Sequence, residues 1–298
     1  MTMLRTSFAN LLAPGFREIF QNMFDLYPSG IEQIYNIQTS THEYEKESYV
    51  TGFGLIPKKS EGVAVSYDDI VNGPDTTYTH DTYSLAYRIT KEMWEDERYG
   101  AIRRMPASLG RSMKITIETD GANQLNNAIS TAAANLGADG LSLLNTAHLL
   151  MGGGTQKNML TNTADLHPSS LKQAIIDIAE TTDDRGLTLH LMPQKLIIPI
   201  EEDWNATQIL NSQKDPGNAN NDVNPAQGIL TKIVNHFLTD PDAWFILCTE
   251  HYMNWFWRIQ PEHYQDNDFD TDDAKFKVRT RWSRGWTMPW GVFGSMGV

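Results

Sequence analysis

Residues 243–248 read Ala-Trp-Phe-Ile-Leu-Cys, and residues 275–282 read Lys-Phe-Lys-Val-Arg-Thr-Arg-Trp. The first is a short unbroken apolar run, the length of a strand buried on both faces. The second alternates with period two, so Phe276, Val278, Thr280 and Trp282 fall on a core face and Lys275, Lys277, Arg279 and Arg281 on the other. Between the two, after Pro261, stand Asp266, Asp268, Asp270, Asp272 and Asp273, too charged to pack and expected as an exposed turn. The chain closes on Trp286, Pro289, Trp290, Gly291, Phe293, Gly294 and Gly297. Nothing in this stretch has the look of a catalytic site.

Composition sets the outer limits. A chain of 298 residues, 40% hydrophobic and 20% charged, can bury a sizeable core over one or two domains. No apolar run approaches the roughly 20 residues of a membrane helix, and Arg5 and Arg17 interrupt the N-terminal apolar residues, so neither a membrane span nor a signal peptide is expected. Synthesis in a cytoplasm-like compartment follows. One cysteine forbids an intrachain disulfide. A net charge of -13 argues against a surface that wraps phosphate backbones, which depends on neutralising cations.

In chain order, Phe16, Ile19, Phe20, Met23 and Phe24 make one narrow helical face, ended by Tyr27, Pro28, Ser29 and Gly30. Residues 42–90 are polar and strand-like, punctuated by Gly52, Gly54, Pro57, Gly62, Gly73 and Pro74, with Lys58 and Lys59 at an expected exposed tip. Tyr83, Leu85, Tyr87 and Ile89 alternate as its return arm. A long two-stranded excursion is marginal alone in water, so it must lie on another element or another subunit. From Thr90, a plausible N-cap, the period becomes helical through Ile102, Met105, Leu109, Met113 and Ile117. Pro106 and Gly110 predict a kinked helix, or two stacked pieces, ending near Ala128. Residues 131–165 look irregular, and Gly152–Gly154 lack the Lys-Ser/Thr pair of a phosphate loop. A helix follows from Ser169 to about Asp183, then alternating Leu187, Leu189 and Leu191, a buried strand over Leu196–Ile200, a helix over Glu202–Ser212 and a long exposed loop over 214–227. Strands and helices mixed in this order give an α+β fold.

In the order and spacing of several short motifs the sequence resembles tailed-phage major capsid proteins of the HK97-like fold, with the pattern of Mu-like major head subunits. The motifs are Thr90-Lys91-Glu92-Met93, Asn145-Thr146-Ala147-His148, the stretch Leu189 to Pro199, Asp242-Ala243-Trp244-Phe245 and Trp290-Gly291-Val292-Phe293-Gly294-Ser295. The resemblance implies an N-terminal arm over 1–41, an extended E-loop over 42–90 lying on an adjacent subunit, and a P-domain over 91–165 with a spine helix. It further implies an A-domain over 166–252 that meets its copies around a five- or six-fold axis, P-domain strands with the acidic turn over 253–286, and a C-terminal return to the A-domain over 287–298. Partners implied are copies of the chain in hexamers and pentamers, a portal, scaffolding or decoration proteins, and double-stranded DNA enclosed without specific binding. The place is the virion, after assembly in the host cytoplasm. No enzyme activity and no cofactor are expected. Pro106 departs from an often continuous spine helix, and a scaffold fused ahead of Met1 is not expected. Expected assembly contacts are Lys58, Lys59, Asn218, Asn220, Asp266, Asp268, Asp270, Arg279 and Arg281.

Other readings weigh less. Cys248 with His251 could be nucleophile and base, but the most apolar run of the chain suits an inert thiol. The aspartates from Asp266 mimic a calcium loop, yet Thr271 stands where that loop needs Gly and Lys277 where it needs Glu. The cations from Lys275 to Arg281 could touch phosphates, although the acid excess favours carboxylate partners. Trp255, Trp257, Trp282, Trp286 and Trp290 read as packing rather than a ligand cage. The alternatives are an acidic-site hydrolase using Glu201, Glu202 and Asp203 or the 266–273 cluster, and an encapsulin-like compartment.

Overall fold

The computed structural model describes residues 8–96, 100–214, 222–268 and 270–298, with side chains from Gly15 onward. Two long strands, β10 (Met253–Asn267) and β11 (Ala274–Trp286), form an antiparallel pair flanked by β4 (Asp81–Ile89) on β11 and by a parallel β1 (Asn36–Thr39) on β10. The alternation of β11 decides which face is covered. Phe276, Val278, Thr280 and Trp282 are buried, while Lys275 and Lys277 are exposed. The Trp282 ring stacks on Tyr83 at 3.9 Å and on Trp255 at 5.5 Å.

The 26-residue helix α4 (Ala101–Asn126) covers that buried face. It is fastened by the Trp282 indole N–H donating to Asp120 at 2.7 Å and by Arg284 donating to Asp120 and Gln124. Along α4 runs α1 (Phe8–Asp25), then the short α2 (Ile31–Ile34). Gly110 lets α1 come close: a Cβ there would stand 2.7 Å from the Phe20 carbonyl oxygen. At Gly121 a Cβ would meet Ile31 at 2.5 Å.

A second sheet has the order β12 (Val292–Ser295), β9 (Trp244–Cys248), β7 (Pro193–Ile198), β8 (Thr231–Val234). Its central β9 is apolar on both faces because both faces are covered. Trp244, Ile246 and Cys248 pack with α5 (Pro168–Ala179) and α6 (Asp203–Asn211). Phe245 and Leu247 join a core continuous with Trp255, Val278, Trp282 and the inner face of α4.

Several expectations change. β4 is not the return arm of the excursion. That arm is β3 (Asn72–Thr79), paired with β2 (Tyr44–Val50), while β4 turns away to extend the main sheet. Leu85 is therefore exposed at the sheet edge rather than buried. The spine divides between α3 (Lys91–Glu95) and α4, which opens after Gly100 in the left-handed region at φ 69°, and Pro106 does not break it. Pro106 is the sixth residue of α4, past the N–H groups a helix leaves free at its start, and the helix runs on through it with the loss of one backbone bond. Thr90 does cap α3, its hydroxyl accepting from Met93 N–H at 3.2 Å. Leu187–Leu191 form no strand, only a bridge between Thr182 and Thr188. β10 runs through Pro261, where the register slips between Ile259 and Glu262, and Asp266 belongs to that strand rather than to a turn.

Candidate assembly surfaces

The β2–β3 hairpin crosses the face of the main sheet opposite α4. Glu47 accepts from Asn254 at 2.7 Å and from the Thr287 hydroxyl, and the Tyr78 hydroxyl meets Thr287 at 2.6 Å. The Tyr78 ring packs on Phe256 at 4.9 Å, a close approach that Gly285 permits, since a Cβ there would stand 2.9 Å from that ring. Buried His80 bridges Ser40 at 2.9 Å and Ser283 at 3.0 Å. Loss of solvation pushes its imidazole below the usual range. Farther out, the Tyr49 hydroxyl bonds Asp184 and its ring meets Trp290 at 5.3 Å. Arg185 donates to Asp68 at 3.1 Å and to the Asp69 carbonyl, and the Gly54 N–H donates to Asp68 at 2.8 Å. That N–H, and then Arg185, hold the Asp68 carboxyl below its ordinary range.

Beyond these anchors the tip is apolar and uncovered. Leu55 is 82% exposed, Ile56 96% and Tyr67 93%, with Phe53, Val63 and Val65 also exposed. Lys58 and Lys59 sit among them, exposed as expected. Scattered single apolar residues are ordinary on a surface, whereas six within fifteen residues of one loop mark a contact surface.

The acidic cluster at the far end of the sheet is partly neutralised within the chain. Asp268 pairs with Lys275 at 2.5 Å, Asp272 with Lys91 at 3.0 Å and Asp273 with Arg88 at 3.9 Å. Asp273 is buried, which corrects the expectation that all five aspartates are exposed. Asp266 and Asp270 remain exposed. Arg279 stands opposite Ser84 and Glu262, and Arg281 opposite Thr82 and Ile259. Both are half-buried, and neither forms an ion pair among the described residues. Lys277 lies over the Tyr264 ring at 5.5 Å. The structure thus gathers Asp266, Asp268, Asp270, Arg279 and Arg281 on one arm of the sheet, with Lys58 and Lys59 on the hairpin. Asn218 and Asn220 lie outside the described residues. The end of their loop is fixed by Asn224, whose side chain donates to the Ile209 carbonyl at 2.6 Å and the Ser212 carbonyl at 2.9 Å. An Asn amid several others in a polar loop gives no sequence signal of that role.

Catalytic readings find little geometry. Burial pushes the Cys248 thiol up to about 12, and burial, aided by Lys195, pushes the His251 imidazole down to about 4. Glu202 bonds Asn205, and Asp203 bonds Lys232. Among the described residues no three His, Cys, Asp or Glu side chains are placed to hold a metal ion.

A model of a phage capsid protein family matches residues 73–293, about three quarters of the chain. The chain belongs to this phage capsid protein family. No curated protein matches this family member in sequence. In fold, it resembles the capsid of cyanophage P-SCSP1u at TM-score 0.58, 12% identical, over 90% of this chain and 87% of that one. The mature capsid of bacteriophage PhiM1 gives 0.57 at 13% identity, over 90% and 86%. A virus-like particle from Pyrococcus furiosus gives 0.51 at 8% identity, over 95% and 98%. The fold is the HK97-like α+β fold, and the chain is a major capsid protein of the virion.

Proposed function

We propose that this capsid protein assembles into hexamers and pentamers of an icosahedral phage head that encloses double-stranded DNA, without catalysing a reaction. The observation that carries the reading is the hairpin: its base is fixed by Glu47, Tyr49 and Tyr78, and its apolar tip extends past anything in its own chain that could bury it. Covering that surface with a second copy removes it from water at about 25 cal/mol per Å². In this reading residues 42–90 are the arm that lies over a neighbour and 1–41 an N-terminal arm. Residues 91–165 with 253–286 form the peripheral domain. Residues 166–252 with 287–298 form the axial one, supported by the pairing of β12 with β9. Lys58 and Lys59 flank the arm contact, Asn218 and Asn220 are proposed as contacts between copies, and the aspartates and arginines of the β10–β11 arm meet neighbouring copies. A portal and a separate scaffolding or decoration protein complete the particle, assembled in the host cytoplasm.

Negative-stain microscopy of the purified chain is expected to show round shells. Deleting 55–67 is expected to leave a folded monomer with its far-UV spectrum intact and no shells. Shells of normal size from that deletion would remove the hairpin from the assembly contacts.

A further inference from the structure

We infer that the solvent face of α4 is a binding surface for the phosphodiester backbone of nucleic acid on the lumen side of the shell. Arg104, Ser108, Arg111, Ser112 and Ile115 recur at helical spacing and share one exposed face, with exposed Arg103 beside it in the first turn. None of the three arginines forms an ion pair among the described residues. The only two carboxylates of the helix are turned away. Glu118 is buried, bonded to Lys114 at 3.3 Å and to the Gly30 N–H at 3.0 Å, and Asp120 is held by Trp282 and Arg284. In a chain of net charge -13 with 37 acids, a helical face with three guanidiniums that form no ion pair among the described residues, and with no exposed acid of its own helix, is a departure from the average surface.

The face also has a side. Asn254 and Phe256 carry the hairpin, and Ser283 bonds His80 just after it, on one surface of the main sheet, while Trp282 and Arg284 hold α4 and Trp255 meets Tyr35 after α2 on the other. The hairpin surface is mixed in charge, with Glu45, Glu262 and Asp266 among the cations, and suits other protein copies. Along α4 itself every exposed charged side chain is an arginine, whereas α1 beside it exposes Glu18 and Asp25. Arg104 and Arg111 are seven residues apart, about 10 Å along the axis, and both can reach one strand of phosphates without base readout. This inference rests on the shell reading, because a layer one chain thick has one surface towards its contents.

The test is assembly of the full chain with a 30-base-pair DNA duplex at low salt, reading shells by microscopy and enclosed DNA by absorbance of gradient-purified particles. The triple variant Arg103→Gln, Arg104→Gln, Arg111→Gln is expected to form shells in parental yield that enclose several-fold less DNA. The corresponding Lys variants, which keep the charge, should enclose DNA as the parent does. Equal DNA in the Gln variant overturns the inference. Loss of shells in the Gln variant also overturns it, by making the face a contact between copies. Failure of the unsubstituted chain to form shells brings down the assembly reading first and this inference with it.

Discussion

Gly110 shows how one side chain, by its absence, places an element. The helix would gain about 1 kcal/mol of propensity from alanine at that position. The Cβ, however, would meet the Phe20 carbonyl at 2.7 Å, and a backbone oxygen cannot swing aside as the end of a flexible side chain does. Gly110→Ala is therefore expected to destabilise by about 1–3 kcal/mol net as α1 lifts from α4. Thermal unfolding followed by circular dichroism measures it, and an unchanged or raised melting temperature would show that α1 is not seated by that contact. At Gly121 the close atom is instead a side-chain methyl, Ile31 Cγ2 at 2.5 Å, on a buried branched residue of α2.

At the scale of elements, the hairpin is held at its base by buried and half-buried hydrogen bonds and nearer its tip by Arg185, which bonds the Asp69 carbonyl and pairs with Asp68, a partly exposed pair of the kind worth about 0–1 kcal/mol. The tip is thus the least stable part of a well-fastened element, and Lys58 and Lys59 are exposed within it. Limited trypsin digestion of unassembled protein is expected to cut first after Lys58 or Lys59, and Arg185→Ala to quicken that cut without shifting the melting temperature. In assembled shells the same cut should slow by at least tenfold. An equal rate in shells and free chain would mean that the tip stays uncovered after assembly.

For the whole molecule, charge distribution matters more than net charge. Three of the five aspartates at the end of the β10–β11 arm are paired in cis with Lys275, Lys91 and Arg88, leaving Asp266 and Asp270, without ion pairs among the described residues, to repel their copies wherever these arms converge. Arg279 and Arg281, without ion pairs among the described residues, are cations available to a neighbour. Replacing both with Gln is expected to prevent assembly at low salt and allow partial recovery near 0.5 M salt, where the screening length falls to about 4 Å. Light scattering against salt concentration reads this. Assembly identical to the parent at every salt concentration would make the two arginines a plain solvated face.

By itself the sequence determined the local elements whose causes are local. The Thr90 cap, the buried run Trp244–Cys248, the alternation of β11 and the helix after Pro168 are all set by periodicity, capping and side-chain size within a few residues. It also determined the family, through the order of motifs along most of the chain. Only the tertiary structure decided which strands pair. β4 carries the alternation of a half-buried strand whether it folds back on the hairpin or joins β11, and the choice rests on Tyr83 stacking on Trp282 and Tyr87 on Phe276, partners 199 and 189 residues away in sequence. The short β1 and β12 gave no periodic signal, because four residues are too few for one. The candidate surfaces divide in the same way: exposure of Lys58 and Lys59 was legible from composition, whereas the burial of Asp273 and the inward turn of Glu118 and Asp120 depend on partners supplied by distant segments.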